Sequence, residues 1–236
     1  MKKNWPKAIC FDLDDTILSY AAVVDVCWRA VCEHFAPQVP GAGVEGLLEA
    51  VRSESEWFWS DPERHRRGRL DLFAARKGTV TAVLRKFGKE DPELAGAMAR
   101  MRTDMHERAI VPFPGAVEAV GKFREAGVRL ALITNGAGDA QTRKIDRFGL
   151  RPLFDCILIE GEFGCGKPDP RVFRQALSAL QASPEETWMV GDNLAMDIAP
   201  AQALGLLGVW HDYRKNGLPA NAPAKPNRII HALSEL

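Results

Sequence analysis

An alternation of predicted helices and strands fills the chain after residue 113, and it constrains the fold more than any other feature. Apolar residues at helical spacing predict helices over 116–125, 138–148, 170–180 and 196–204. Short apolar runs predict strands over 128–133, 154–159, 187–190 and 208–210. Strands that alternate with helices form a parallel sheet with helices on both faces. We therefore expect an α/β fold with a doubly wound, mostly parallel, Rossmann-like sheet.

The stretch between residues 20 and 112 breaks this alternation. Apolar residues recur at helical spacing from Ala22 to Phe35, and further helical stretches cover 44–59, 70–87 and 92–108. No strand pattern interrupts them. The sequence therefore predicts a core formed by residues 1–19 and 113–236, and an inserted, all-helical cap domain formed by residues 20–112.

Composition excludes several classes of function. The chain has 236 residues, of which 46% are hydrophobic, and its 31 basic residues balance its 31 acidic ones. It thus has no net field to attract nucleic acid or an anionic membrane, and only a local charged patch could do so. No apolar run approaches the roughly 18 residues that span a bilayer, and the five cysteines lack the spacing of a disulfide framework or a zinc site. We expect a cytoplasmic monomer or homodimer without nucleic-acid or membrane partners.

A cluster of acidic residues follows the first predicted strand, Ala8-Ile9-Cys10, in the run Phe11-Asp12-Leu13-Asp14-Asp15-Thr16. Side chains alternate along an extended chain, so Asp12 and Asp14 could point to the same side. Three acids in four residues repel one another. The cluster indicates a bound cation or a reaction that uses carboxylates, and the alternative is a solvated acidic turn.

Three further polar segments follow later strands or lie in a loop. They are Thr134-Asn135-Gly136, Gly166-Lys167-Pro168, and Gly191-Asp192-Asn193 with Asp197 five residues after Asp192. In open α/β sheets the ligand crevice lies outside the carboxyl ends of the strands. All four segments are therefore predicted to meet around one site.

This combination resembles the haloacid dehalogenase superfamily of hydrolases. The pattern of that family is DxDxT, then a strand-end Thr or Ser, then Lys, then GD followed by a further Asp, and every element is present here in that order. The helical insertion is similar to the family's first class of caps. The layout resembles the family's phosphatases, including nucleotidase-like and sialic-acid-phosphate phosphatase-like members.

The resemblance implies a magnesium-dependent phosphatase that hydrolyses a small phosphorylated metabolite through an aspartyl-phosphate intermediate. It makes Asp12 the nucleophile, and Asp14 the acid that protonates the leaving alcohol and then the base that activates water. Thr134, Asn135 and Lys167 are expected to bind the phosphate group.

The resemblance also implies a Mg²⁺ site. The expected ligands are Asp12, the carbonyl oxygen of Asp14, and Asp192. Asp197 is expected to orient a metal-bound water or Lys167.

Other functions remain open on the same fold. The family's 2-haloacid dehalogenases lack the second acid of the first motif, so Asp14 favours a phosphatase. A phosphomutase would use the same residues, and a catalytically idle binding protein is also compatible with the fold. The aromatic segment 55–59 and the basic segment 64–69 favour core packing and a solvated face, so no cap residue is assigned to the site.

Overall fold

A computed structural model describes residues 5–236 of the protein. The chain divides into two compact units. The core unit comprises residues 5–19 and 111–236, and the helical unit comprises residues 20–110.

The strands, in chain order, are β1 Ala8–Phe11, β2 Leu18–Ser19, β3 Val111–Pro112, β4 Arg129–Thr134, β5 Cys156–Ile159, β6 Thr187–Gly191, β7 Leu207–His211 and β8 Arg228–Ile230. The α-helices are α1 Val24–Phe35, α2 Gly43–Ser60, α3 Pro62–Leu70, α4 Leu72–Lys86, α5 Pro92–Ala109, α6 Ala116–Glu125, α7 Gly138–Arg147, α8 Glu160–Phe163, α9 Pro170–Leu180 and α10 Ala199–Ala203.

The core unit is built on a six-stranded sheet in the order β5-β4-β1-β6-β7-β8, and each adjacent pair of strands is parallel. All of β1 and all but the first residue of β4 are buried, as expected for strands that are covered on both faces. The predicted doubly wound, mostly parallel α/β fold is confirmed. The order of the strands reverses beside β1, and this places the ligand crevice at the carboxyl end of β1.

The core unit differs from the expectation in the short strands β2 and β3, in the short helix α8, and in two details near its C-terminal end. The sixth strand, β8, pairs with β7 and was not predicted because Arg228–Ile230 is short and follows a polar loop. The helix expected over 196–204 is interrupted, since a π-helical turn over Leu194–Ile198 precedes α10. Pro200 lies at the start of α10, and it has no N–H group to continue a helix from the preceding turn.

The helical unit contains all four predicted helical stretches and one helix more. Its core includes Trp28, Val31, Leu47, Val83 and Met98. The additional helix, α3, covers the basic segment, which has no apolar periodicity to reveal a helix. Its N-terminus is capped by Asp61, whose carboxylate accepts a hydrogen bond from Arg64 N at 2.7 Å.

The guanidinium of Arg64 lies 3.9 Å from the ring centroid of Trp57, so the aromatic and basic segments contact each other locally.

No helix within residues 5–236 is long and apolar enough to cross a membrane.

Candidate active site

The four polar segments are positioned by the ends of the central strands. Asp12 follows β1, and its N–H donates to Val190 O at 2.9 Å. Thr134 is the last residue of β4, and Asp192 follows the last residue of β6. Because β1 lies between β4 and β6 and the three strands are parallel, these three positions lie side by side at the carboxyl ends of the strands.

Lys167 forms the centre of the site. Its Nζ lies 2.5 Å from Asp12 Oδ1 and 2.7 Å from Asp197 Oδ1, and all three side chains are buried. Burial alone would lower the pKa of Lys167, but the two carboxylates outweigh burial and raise that pKa above its usual range. Lys167 is therefore a permanent cation between Asp12 and Asp197.

The backbone around Lys167 is held by the side chain of Asn135. Asn135 Oδ1 accepts from Lys167 N, and Asn135 Nδ2 donates to Lys167 O, both at 2.8 Å. A Cβ atom at Gly166 would lie 2.4 Å from Asn135 Oδ1, so this close approach requires glycine. Asn135 thus fixes the lysine loop with its side chain, a contact that the sequence did not indicate. Its predicted phosphate contact stays a prediction.

Three carboxylates converge beside Lys167. One oxygen from each of Asp12, Asp192 and Asp197 lies within 4.8 Å of the others. Burial, with a contribution from the neighbouring carboxylates, raises the pKa of Asp12 to about 7 and that of Asp192 to about 9, and Lys167 opposes both increases. In its fully ionised form, the cluster would carry more negative charge than one lysine balances.

These residues fit a magnesium ion. The donor set consists of oxygens alone, and its ionised form would have an excess of negative charge, which suits a hard divalent cation. Asp197 is already engaged, since Oδ1 contacts Lys167 and Oδ2 accepts from Asn193 N at 2.9 Å. Both oxygens of Asp197 are thus engaged, whereas Asp12 contacts Lys167 through Oδ1. Asp12 and Asp192 are therefore better placed as ligands, and Asp197 is better placed to orient the lysine.

Asp14 lies outside this carboxylate cluster and has different partners. Lys144 Nζ lies 2.7 Å from Asp14 Oδ1 and 2.5 Å from Asp14 Oδ2. Gln141 Nε2 donates to Asp14 Oδ2 at 3.1 Å. The chain turns sharply after Asp14, because Asp15 has a φ of 61° and its N–H donates to Leu18 O at 2.6 Å. The two acids of the first motif therefore have separate environments.

Gln141 and Lys144 are two site residues that the sequence analysis missed. Both lie on α7, three positions apart, and so share one face of the helix. Gln141 is buried and also donates to Thr134 Oγ1 and Asn135 O. One sequence signal could have indicated them. Gln141 and Lys144 share a helix face with Ile145, so polar residues interrupt an otherwise apolar face of α7.

Comparisons with known proteins identify the family of the chain. The family model described as haloacid dehalogenase-like hydrolase matches residues 6–205. The chain is 35% identical to a phosphoserine phosphatase of Thermus thermophilus, over 98% of this chain and 97% of the relative. It is 29% identical to a glyceraldehyde 3-phosphate phosphatase of Methanocaldococcus jannaschii, over 86% of this chain and 83% of the relative.

A solved structure shares the fold. The magnesium-bound HAD-hydrolase YfnB of Bacillus subtilis superimposes with a TM-score of 0.74 at 21% identity, covering 98% of this chain and 97% of that one. The match of the family model over most of the chain confirms the resemblance found from the motifs. The chain belongs to the haloacid dehalogenase-like hydrolases.

Proposed function

We propose that the protein is a magnesium-dependent phosphatase that hydrolyses a small phosphorylated metabolite through an aspartyl-phosphate on Asp12. The observation that carries the proposal is the separation of the two acids. Asp12 contacts the buried Lys167, whereas Asp14, two residues later, contacts Lys144 and Gln141. This separation supports different roles for the two acids, Asp12 as the nucleophile and Asp14 as the acid and base. The phosphatase names of the two relatives support this assignment.

In the first step, a carboxylate oxygen of Asp12 attacks the phosphorus atom and the bond to the ester oxygen breaks. Asp14 gives its proton to the leaving alkoxide. Lys167 offsets the charge that Asp12 and the phosphate share, and Thr134 and Asn135 bind phosphate oxygens. The contact from Gln141 to Thr134 Oγ1 holds that hydroxyl in place.

In the second step, Asp14 removes a proton from water as the water attacks the phosphorus atom. The bond between phosphorus and Asp12 breaks, inorganic phosphate leaves, and the Asp12 carboxylate is restored. Asp14 thus ends each cycle with the proton that it needs for the next one. Asp197 keeps Lys167 directed at Asp12 throughout, since it contacts the same Nζ at 2.7 Å.

Magnesium would be held by Asp12, the Asp14 carbonyl oxygen and Asp192. When bound, it neutralises phosphate charge and draws the substrate toward the nucleophile. The convergence of Asp12 and Asp192 supports this ligand set.

The nearest alternatives differ from a phosphatase in their use of Asp14 or in the fate of the phosphoryl group. A 2-haloacid dehalogenase releases halide without a proton and does not need this acid. A phosphomutase returns the phosphoryl group to its product instead of transferring it to water. A binding protein without catalysis would need neither the buried lysine nor a second acid.

Phosphate release from p-nitrophenyl phosphate, measured with Mg²⁺ and with chelator, tests the proposal. We expect release that depends on the metal, and no chloride release from 2-chloropropionate. Chloride release without phosphatase activity would instead establish the dehalogenase.

A further inference from the structure

Strand β7 ends beside the segments that carry the expected metal ligands. It pairs with β6, and Trp210 lies opposite Gly191, the residue before Asp192. Trp210 and His211 are the last two residues of β7, and they are 7% and 1% exposed. Each of their rings contacts a backbone carbonyl group of the core unit, and the two carbonyl groups belong to different ligand segments.

Trp210 holds the segment that follows β6. Its Nε1 donates to Asp192 O at 2.7 Å. The N–H group of the same peptide unit, which belongs to Asn193, donates to Asp197 Oδ2 at 2.9 Å. The Trp210 ring also packs with Ile198, the last residue of the π-helical turn that contains Asp197. The peptide unit next to Asp192 is therefore held from both sides, and this restricts where its carboxylate can lie.

His211 holds the segment that follows β1, two strands away from β7 in the sheet. Its Nδ1 lies 3.1 Å from Asp15 O. A carbonyl oxygen can only accept a hydrogen bond, so Nδ1 is the donor. Asp15 has the left-handed φ of 61°, a conformation that residues other than glycine adopt at a cost. The contact of His211 is thus made at the strained residue of the turn.

The turn at Asp15 sets the direction of the Asp14 carbonyl group. The Asp14 C=O and the Asp15 N–H belong to one planar trans peptide unit and point in opposite directions. The Asp15 N–H donates to Leu18 O at 2.6 Å, so the Asp14 carbonyl points away from Leu18. The next peptide unit contains the Asp15 carbonyl, which His211 holds. With both units held, the backbone of Asp15 is fixed, whereas loss of the His211 contact allows the strained turn to relax.

Packing alone does not require a histidine at position 211. The ring lies among aromatic side chains, with its centroid 5.3 Å from that of Phe113 and 5.8 Å from that of Tyr213. A phenylalanine would suit these neighbours without the cost of burying polar nitrogens. The hydrogen bond to Asp15 O is the contact that only a polar ring can provide, because buried carbonyl groups need donors.

We propose that Trp210 and His211 are positioning residues of the magnesium site, which raise its affinity for Mg²⁺ by holding the backbone of the ligand segments. Each acts through a carbonyl group of the chain and not through the ion. Groups that orient metal ligands commonly change metal affinity about 10- to 100-fold when they are removed. The inference rests on the magnesium site of the proposed function and adds to it two residues outside the four motifs.

The side chains that carry out the chemistry are held by other contacts. Asp12 contacts Lys167, and the Asp14 carboxylate contacts Lys144. Removal of either ring contact should therefore weaken Mg²⁺ binding more than it lowers kcat at saturating Mg²⁺. An effect on the fold as a whole would not produce this difference.

Isothermal titration calorimetry of the full-length protein with MgCl₂, without substrate, tests the inference. Trp210→Phe keeps an aromatic ring but lacks the N–H group, and His211→Phe keeps a ring but lacks both nitrogens. We expect each variant to raise the Kd for Mg²⁺ about tenfold. His211→Asn should recover most of the affinity, because its amide nitrogen can donate from near the position of Nδ1. The Mg²⁺ concentration that gives half-maximal activity should rise in parallel with the Kd.

Matched controls exist for both rings. His106 is also 1% exposed, and its Nε2 lies 3.0 Å from Tyr20 O within the helical unit. His106→Phe therefore removes a buried contact of the same kind, and it should lower the unfolding temperature without changing the Kd for Mg²⁺. Trp188→Phe, at a partly buried tryptophan on β6, is the control for Trp210→Phe and should also keep the wild-type Kd.

The outcomes are distinguishable. Wild-type Kd values in Trp210→Phe and His211→Phe, or an equal rise in the controls, would overturn the inference and leave the phosphatase proposal standing. Binding by His211→Asn that is as weak as that of His211→Phe would overturn the assignment of His211. If His211→Phe does not fold, the milder Trp210→Phe decides the inference.

Failure of the proposed function gives a different result. If the wild type binds no Mg²⁺, the magnesium site fails and the inference fails with it. If the wild type binds Mg²⁺ and the two ring variants bind it more weakly, but no phosphate ester is hydrolysed, the phosphatase proposal fails and the positioning role of Trp210 and His211 holds.

Discussion

The two units bury cations in opposite ways. In the core unit, Lys167 lies between Asp12 and Asp197, so its charge is balanced by the chain itself. In the helical unit, Arg102 is equally buried, but its Nε and Nη1 atoms have no hydrogen-bond partner. A balanced cation keeps its neighbouring carboxylates in place, whereas an unbalanced cation is buried at a cost to stability. The comparison therefore separates a cation that the chain itself neutralises from one that it leaves without a hydrogen-bond partner at two of its atoms.

The largest effect should follow from removing the nucleophile on the balanced side. Asp12→Asn keeps the size of the side chain but cannot form an acyl phosphate, so we expect kcat to fall by at least about 10⁴-fold. Asp139→Asn, at an exposed position on α7, is the matched control and should keep full activity. A rate near that of the wild type in Asp12→Asn, with the fold checked by circular dichroism, would exclude Asp12 as the nucleophile.

Removal of the balanced cation should destabilise the core unit. Lys167→Met leaves Asp12 and Asp197 buried without their partner, and breaking such a buried pair costs about 3–5 kcal/mol. Chemical denaturation in chelator measures this loss without a contribution from metal. The comparison with Arg102→Met is the sharpest one, because that variant should lose no stability. Similar losses in both variants would remove the distinction between the two buried cations.

Magnesium should stabilise the wild-type protein by relieving repulsion among Asp12, Asp192 and Asp197. At a concentration of 100 times the dissociation constant, the expected gain is about 2.7 kcal/mol. Asp192→Asn should abolish most of this gain, yet in chelator it should be more stable than the wild type, because one buried carboxylate is gone. Thermal unfolding with and without Mg²⁺ checks both expectations. A gain that Asp192→Asn retains in full would place the metal elsewhere.

The smallest effect concerns the positioning of Asp14. Lys144→Met should lower kcat for alkyl phosphates about 10- to 100-fold, since the proton donor loses its main contact. The loss for p-nitrophenyl phosphate should be smaller, because its leaving group is a weak base and needs little protonation. Lys144→Arg should restore part of the activity. A uniform loss across leaving groups would indicate that Lys144 acts on the fold and not through Asp14.

Much of the core unit could be predicted because its signals are local. The bounds of α6 and α9 match the predicted helices at both ends, since each has apolar residues at helical spacing between clear breaks. The π-helical turn before α10 was not predicted. It depends on where Pro200 interrupts the helical hydrogen bonds, and apolar spacing does not show this. Strand β8 is defined by its pairing with β7, which no local pattern reveals.

The site residues also divide into those with a local sequence signal and those without one. Four site residues could be placed together from the sequence, because each belongs to a motif at a strand end or in the following loop. They are Asp12, Thr134, Lys167 and Asp192. Lys144 and Gln141 belong to no such motif, and only the packing of α7 brings them to Asp14. The burial of Arg76 and Arg102 could not be predicted either, because an arginine on a helix is usually solvent-exposed. Their burial depends on how α4 and α5 pack.

The most direct test of the central claim is to identify the residue that carries the phosphoryl group. The protein is mixed with a phosphate ester and Mg²⁺, quenched in acid within one turnover, digested, and examined by mass spectrometry. We expect a phosphoryl group on Asp12 in the wild type and none in Asp12→Asn. Phosphate release without a phosphorylated peptide, or a phosphoryl group on a different residue, would contradict Asp12 as the nucleophile of this hydrolase.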